Sequence, residues 1–409
     1  MINRMKIKKI GLYEILLVCT LFLFSLEDHG EFRIYLASFL LMTAYLFRGQ
    51  LLIHKQVIRS AILFLSFLIG LSALSKIGFF SYRSNMAGYS EIDFLFSTSI
   101  KVLISLVFLN LTLKDKDKLL RIVSIVLIIH LSIFYIQLFV VYVTGGYYID
   151  LLSPFTGEKA RYTWGVTVPF IGATFRPTGM YNEPSTYSAY ILCIFLLRYL
   201  LLNKLDKISH ITILSFFLSL SFASIFYAFL IIVIFNMNKN GLVKYFPIVF
   251  LLSLALSPLL ISMLEARMSG NYDAVGIRTG FFDMIFNQSI EEIVFGNGPI
   301  GVPYDIEGIV NSESQSWAKN GLPALNDNGL IVFILMKFGL LGCISLIIFL
   351  RFKFSNNRNF LLNCILLITK IKYTSVIFIL YLSFVYLINR TKSATSSRTT
   401  VLASSSVEE

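Results

Sequence analysis

Charged residues are scarce in this chain. They make up 14% of its 409 residues, whereas a soluble domain carries roughly a quarter. Hydrophobic residues account for 56% and fall in long runs. Because about 20 consecutive apolar residues can cross a bilayer as a helix, this composition excludes an ordinary soluble domain. It predicts an all-α polytopic membrane protein.

Cysteine and histidine are also scarce, with four of each. Every cysteine lies inside an apolar run, which is typical of a small buried side chain and not of a disulfide or metal framework. The acidic residues are scattered without the spacing of metal ligands. We therefore expect no metal site and no cofactor. The cysteines are Cys19, Cys193, Cys343 and Cys364.

The net charge of +12 comes from lysines and arginines in short loops between apolar runs. Nucleic acid is not an expected partner, because this distribution is the one that the positive-inside rule predicts for cytoplasmic loops. The basic N-terminus is assigned to the cytoplasm, as is the C-terminus. Two long loops, 144–182 and 265–325, then lie outside. The serine- and threonine-rich segment 391–409 is predicted to be a disordered cytoplasmic tail.

The apolar runs predict one membrane domain over residues 1–390 with about twelve spans. Run 208–236 is predicted to split near Ser219–Ser224, where serine hydroxyls can satisfy a broken backbone. Run 359–389 is predicted to split at Lys370 and Lys372. The alternative for 208–236 is one helix with a polar packing stripe. The predicted runs are 10–26, 32–47, 57–74, 93–113, 119–143, 184–202, 208–236, 245–264, 326–350 and 359–389.

Arginine and aromatic residues concentrate in the first external loop. An arginine fork binds phosphate oxygens in pairs, and a flat aromatic ring can stack on a sugar. Arg161 and Arg176 are therefore candidate phosphate ligands, and Trp164 and Tyr181 are candidate sugar contacts. Together they favour a ligand that carries both groups at the membrane surface.

Glu183 stands at the boundary between this loop and an apolar run. Ionisable groups at such a boundary are expensive unless paired or solvated, which favours a functional role. Pro184 suits the first position of a helix, so Glu183 is predicted near its N-cap. There the helix dipole lowers a carboxyl pKa, whereas desolvation raises it. The alternative is that Glu183 merely caps the helix and pairs with Arg176.

The second loop offers Asp273, Arg278 and a turn around Asn297, in Gly296-Asn-Gly-Pro. Residues 278–290 are predicted to form an amphipathic interfacial helix with Arg278 at its start. The chain then returns to the membrane through Asn326-Asp327-Asn-Gly and Lys337-Phe-Gly-Leu-Leu-Gly342.

Three motifs resemble the O-antigen polymerase (Wzy) family, within the wider group of O-antigen ligases and lipid-linked glycan polymerases. The first is Arg176-x-x-Gly179-x-x-x-Glu183-Pro-Ser, and the second is Arg278 followed by Phe295-Gly-Asn-Gly. The third is Asn326-Asp-Asn-Gly followed by Phe338-Gly-Leu-Leu-Gly. Lys337 and Phe338 stand where relatives often carry an acidic residue.

The resemblance implies a GT-C-like fold in the bacterial cytoplasmic (inner) membrane. It also implies joining of undecaprenyl-pyrophosphate-linked oligosaccharide repeats, as donor and acceptor, outside that membrane. Arg176, Arg278 and Arg161 would bind pyrophosphate, while Glu183 would orient or deprotonate the acceptor. Asp327 and Asp273 are lower candidates, and Asn297 is a candidate substrate contact. Membrane lipid and a chain-length regulator protein are the other expected partners.

Two other functions stay open. An O-antigen ligase has a similar layout but typically a histidine in its second large loop, and His29, His54, His130 and His210 all lie elsewhere. A polysaccharide transporter or flippase would place ionisable groups at mid-membrane. His130 and Gln137 are the main polar residues there, and an interhelical hydrogen bond is their usual role.

Overall fold

The computed structural model describes residues 11–26, 29–48, 55–76, 91–168, 172–237, 283–301 and 328–387. Within these ranges the chain is mostly helical. The helices are α1 (Leu12–Ser25), α2 (Phe32–Phe47), α3 (Lys55–Lys76), α4 (Glu91–Thr112), α5 (Lys116–Val143), α6 (Ser153–Thr156), α7 (Pro184–Leu202), α8 (Lys207–Leu218), α9 (Phe222–Phe235), α10 (Ile290–Phe295), α11 (Leu330–Lys353), α12 (Asn357–Cys364) and α13 (Val376–Leu387).

Four of these helices are long and apolar enough to cross a membrane, namely α4, α5, α7 and α11. Shorter apolar helical stretches of 10–17 residues are α1, α2, α8, α9 and α13, the part of α3 over Val57–Leu71, and α12 together with the turn that follows it. The chain is therefore an all-α membrane protein in its main architecture. The predicted span 245–264 and the predicted tail 391–409 lie outside the described residues.

Run 208–236 forms two helices, as the serine-rich centre predicted. Helix α8 ends at Leu218 and α9 begins at Phe222, and Leu220 between them has a positive φ of 47°. A left-handed residue cannot continue a right-handed helix, so the chain turns here. The alternative of a single helix is wrong.

The two helices fold back on each other as a hairpin beside α7. Asp206, at the start of α8, binds Arg198 near the end of α7, whereas Ser215 accepts a hydrogen bond from Tyr187 near the start of α7. Helix α9 then runs the other way, because Ser224 donates to the Pro184 carbonyl. The far end of α9 returns to Tyr199, where the Phe235 ring packs 5.2 Å away. We call the two ends of the bundle the Glu183 end and the Arg198 end.

Run 359–389 also divides, as its central lysines predicted. Helix α12 begins beside Tyr199, which donates to Asn359 at 3.3 Å, and continues as a 3₁₀ turn over Ile365–Ile368. Helix α13 returns to the Arg198 end, where Lys353 of α11 donates to the Tyr386 carbonyl. The connection 369–375 is therefore the tip of a second hairpin, at the Glu183 end.

The first loop contains a small sheet that the prediction of an all-α chain missed. Strand β1 (Thr163–Val168) pairs antiparallel with β2 (Gly172–Phe175). In the second loop, helical residues 283–286 are separated from α10 by Ser289, which forms a capping box with Glu292. One continuous helix up to residue 290 is therefore wrong, because Ser289 starts a new helix.

Candidate functional site

Glu183 is the N-cap residue of α7, and Pro184 is the first helical residue. Both positions agree with the prediction from the sequence. Its carboxylate, however, makes no capping hydrogen bond to the helix backbone. The simple helix-cap role is therefore wrong for this side chain, because its oxygens are directed to other partners.

Two cations and a hydroxyl surround the Glu183 carboxylate. Arg161 donates to Oε1 at 2.5 Å, while Lys370 donates to Oε2 at 3.0 Å. The Ser185 hydroxyl donates to Oε2 at 3.1 Å. We call these residues the Glu183 cluster. They come from the first loop, the start of α7 and the tip of the second hairpin.

The side chains of the cluster differ in their exposure to solvent. The Lys370 side chain is 10% exposed and that of Glu183 is 21% exposed, whereas Arg161 is 59% exposed. Arg161 therefore presents part of its guanidinium outward while it holds the carboxylate. An incoming anion would meet Arg161 before it met Lys370.

Burial alone would raise the pKa of Glu183, but the charges of Lys370 and Arg161 outweigh it. Together with the hydrogen bonds from Lys370 and Ser185, they lower its pKa to about 2. The sequence left the direction open between the helix dipole and desolvation; the pKa is lowered, and Lys370 and Arg161 are the main causes. Glu183 is thus a stable carboxylate near neutral pH, and a weak proton acceptor.

Arg161 is positioned by the folded first loop. Its backbone N–H donates to Asn182, next to Glu183, at 2.7 Å. The Arg176 N–H donates to the Tyr162 carbonyl at 2.7 Å, and its guanidinium reaches the Thr163 carbonyl at 3.3 Å. Arg176 therefore braces the segment that joins Arg161 to the start of β1.

Aromatic stacking anchors the base of this loop. The Tyr148 and Tyr162 rings are parallel with centroids 4.2 Å apart, and the Tyr148 hydroxyl contacts Thr178. Gln137 of α5 donates to the carbonyls of Ile149 and Gly179, both at 2.8 Å. Gln137 thus ties the loop to the bundle instead of joining two helices.

Lys370 is the charged member of the cluster that the sequence did not mark as a site residue. Its signal was present, since a lysine in the middle of an apolar run is costly unless it is paired. The sequence could not identify Glu183 as the partner of Lys370, because the two residues are far apart along the chain. The second hairpin brings them together.

Asn297 is structural in this arrangement. It is 1% exposed, and both its backbone N–H and its side-chain amide donate to the Met336 carbonyl of α11. The Gly298 N–H donates to the Lys337 carbonyl at 2.9 Å. The prediction that Asn297 contacts substrate is corrected, because its polar atoms dock the second loop onto α11.

Tyr181 is also a core residue. Its ring is fully buried and stacks between His130 and Tyr190, and its hydroxyl donates to the Ser25 carbonyl at 2.9 Å. A buried ring with a bonded hydroxyl is not accessible to a sugar, so this prediction is corrected too. His130 contacts Ser25 of α1 at 2.7 Å, which is the expected interhelical bond.

The other predicted site residues are not tested by geometry. Asp273, Arg278 and Asp327 lie outside the described residues. Trp164 lies on β1. In the described ranges, no group of three His, Cys, Asp or Glu side chains is arranged to hold a metal ion.

No protein-family model, curated protein or solved structure matches this chain. The chemistry of the site therefore rests on its own geometry. A fixed carboxylate flanked by a buried lysine and an exposed arginine can hold a hydroxyl by its lone pairs. The same two cations can stabilise phosphate oxygens that approach from the solvent side.

Proposed function

We propose that this protein polymerises undecaprenyl-pyrophosphate-linked oligosaccharide repeats into O-antigen or a related surface polysaccharide. The Glu183 cluster, at one end of a helical membrane bundle, carries the proposal. A cation pair beside a carboxylate at a membrane boundary suits a substrate with a pyrophosphate and a sugar hydroxyl. The resemblance of the three motifs supplies the substrate class.

In this proposal the Glu183 end faces the periplasm of a bacterial inner membrane, and both termini are cytoplasmic. The acceptor hydroxyl oxygen bonds to the anomeric carbon of the donor, and the bond from that carbon to the pyrophosphate oxygen breaks. Negative charge grows on the leaving pyrophosphate, so cations that are already in place lower the barrier. Arg161 is the best-placed described cation, with Arg176 behind it and Arg278 as a further candidate.

Glu183 is assigned to orientation of the acceptor. A carboxylate with a pKa of about 2 accepts a hydrogen bond from a sugar hydroxyl but removes its proton poorly. It also holds Arg161 and Lys370 in place. Asp327 and Asp273 remain candidates for the proton acceptor.

The test is the polysaccharide ladder in cells that carry Glu183→Gln or Arg176→Ala, at matched membrane expression. We expect long chains to collapse to a single repeat on the lipid A core. In Glu183→Gln the reason is that a neutral glutamine amide cannot hold both Arg161 and Lys370. Glu14→Gln is the matched control: Glu14 is an ion-paired glutamate, bound to Arg121 on the α1–α5 contact away from the cluster. That variant should keep the wild-type ladder.

Other outcomes separate the alternatives. If no repeat reaches the core in the Glu183→Gln strain, a ligase or flippase function replaces the polymerase. If the ladder is unchanged, the Glu183 cluster is a structural ion pair and the proposed site is wrong. If Glu14→Gln gives the same collapse as Glu183→Gln, loss of stability explains both.

A transporter is the second candidate, and one observation favours it. The two hairpins place helix breaks at the Glu183 end, and discontinuous helices around ionisable groups are typical of transporter sites. A transporter would leave repeats unpolymerised on the cytoplasmic side when Glu183 is changed. A polymerase would leave them on the periplasmic side.

A further inference from the structure

An apolar cleft lies between α3, α4, α11 and α13. Its volume is about 530 Å³, and its lining is almost entirely hydrocarbon and aromatic. Phe67 and Leu71 of α3, Phe94 of α4, Leu341 of α11 and Leu382 of α13 are among its walls, together with Tyr373. A cleft of this composition in a membrane protein holds a hydrocarbon chain more favourably than water.

The cleft extends along the helix axes. On α3 its lining runs from Phe64 to Leu74, which is about 15 Å at 1.5 Å per residue. On α11 it runs from Ile334 to Leu346, which is about 18 Å by the same rise. The hydrocarbon core of a bilayer is about 30 Å thick. The cleft therefore spans about the depth of one leaflet.

One side of the cleft is open along the outer surface of the bundle. Phe67 is 59% exposed and Leu341 is 47% exposed, whereas Phe94 and Val102 at its floor are buried. In a membrane protein these exposed rims face lipid. A chain can therefore enter sideways without unfolding any helix.

The cleft and the Glu183 cluster both include a residue of the hairpin tip 369–375. Tyr373, in its wall, donates to the Pro299 carbonyl at 2.9 Å and lies three positions after Lys370 along the hairpin tip. Lys370 in turn donates to Glu183 at 3.0 Å. An apolar cleft and a cationic cluster that meet at one hairpin tip fit a single lipid with a charged head.

We propose that the cleft binds the polyprenyl tail of the lipid-linked substrate, with its phosphorylated head at the Glu183 cluster. This inference rests on the proposed function. Aromatic side chains at Phe67, Phe94 and Phe338 give broad contact to a methyl-branched chain. The tail fixes the lipid in depth, and so sets the height at which the head meets Arg161.

The test measures binding of radiolabelled undecaprenyl phosphate to the purified full-length chain in phosphatidylglycerol nanodiscs. Leu341→Trp places a larger ring at the mouth of the cleft, and Leu340→Trp is the matched control. Leu340 is the preceding residue, has a similar exposure of 44% and does not line the cleft. Loss of about two buried methylene contacts predicts a Kd about 15-fold weaker for Leu341→Trp. Leu340→Trp should bind as the wild type does.

A second pair removes the risk that the added ring disturbs folding. Phe67→Ala shortens a cleft wall, and Ile69→Ala shortens a similarly exposed side chain on α3 that does not line the cleft. Only Phe67→Ala should weaken binding. If both members of each pair bind equally, or if phosphatidylglycerol competes as well as unlabelled undecaprenyl phosphate, the cleft is not a polyprenyl site.

The same preparations separate this inference from the proposed function. If the protein binds undecaprenyl phosphate selectively and Leu341→Trp weakens that binding, but the protein does not polymerise repeats, the cleft is supported and the polymerase function is contradicted. Polymerisation with the same KM in Leu341→Trp and Leu340→Trp contradicts the cleft and leaves the polymerase standing.

Discussion

At the residue scale, the charge of Glu183 is decided by a competition between burial and two cations. Burial opposes its ionised form, and Lys370 and Arg161 favour it more strongly. The sequence placed the carboxylate correctly at the start of a helix. It assigned Arg161 to phosphate and offered Arg176 as the partner of Glu183, whereas Arg161 is the arginine that binds the carboxylate. It could not choose between a raised and a lowered pKa, because the deciding cation comes from the other end of the chain.

The pH dependence of stability tests this balance. The pKa of Glu183 falls from 4.5 to about 2 on folding, so its contribution is present above about pH 4.5 and is lost as pH falls towards 2. Its upper limit is about 3 kcal/mol, at 1.36 kcal/mol for each unit of pKa. We expect the thermal stability of the wild type to exceed that of Glu183→Gln at pH 6, and the gap to narrow below about pH 4.5 and to close only near pH 2. A gap that is constant over this range would contradict the lowered pKa.

At the element scale, two glycines explain how the second loop meets the membrane helices. Gly296 ends α10 with φ of 79°, and Gly339 interrupts α11 with φ of 63°. The interruption leaves the carbonyls of Met336 and Lys337 to the amides of Asn297 and Gly298. The described parts of the second and third motifs, Phe295–Gly298 and Phe338–Gly342, therefore form one structural unit, which their separation along the chain did not reveal.

Replacing either glycine should break this unit. A Cβ at Gly339 would lie 2.2 Å from the Val294 carbonyl oxygen, and one at Gly296 would lie 2.4 Å from the Lys337 backbone. Together with the positive φ, this predicts a loss of roughly 2–4 kcal/mol for Gly339→Ala. A fall in melting temperature in detergent is the measurement.

Gly70→Ala is the control for that substitution. Gly70 lies within α3, and a Cβ there meets nothing within 4 Å. Alanine has the higher helix propensity, so this variant should keep or slightly raise the melting temperature. Equal melting temperatures for Gly339→Ala and Gly70→Ala would mean that the backbones at Gly296 and Gly339 are not in close contact.

At the scale of the whole molecule, the hairpin of α8 and α9 determines at which end of the bundle the chain leaves α9. Helix α9 ends at the Arg198 end, because Phe235 packs on Tyr199. A single helix over 208–236 would have ended at the other end. The serine-rich break in the sequence predicted that this run folds back on itself, and the contacts along α7 confirm the hairpin.

Cysteine labelling from one side of the membrane tests this arrangement. In a cysteine-free background, Lys204→Cys and Met237→Cys should react from the same side, and Lys159→Cys from the opposite side. All three positions are exposed. Labelling of Met237→Cys together with Lys159→Cys would contradict the hairpin.

The sequence by itself determined the membrane class, the two helix breaks and the place of Glu183 at a helix start. These follow from local composition, because hydrophobic length, serine, proline and lysine act on the segments that contain them. Only the tertiary structure decided that Lys370 binds Glu183 and that Tyr181 and Asn297 are buried. It also decided that the backbone at Gly296 packs closely against the backbone at Gly339, where the second loop meets α11. Each of these depends on contacts between segments far apart in the chain, which no local pattern specifies.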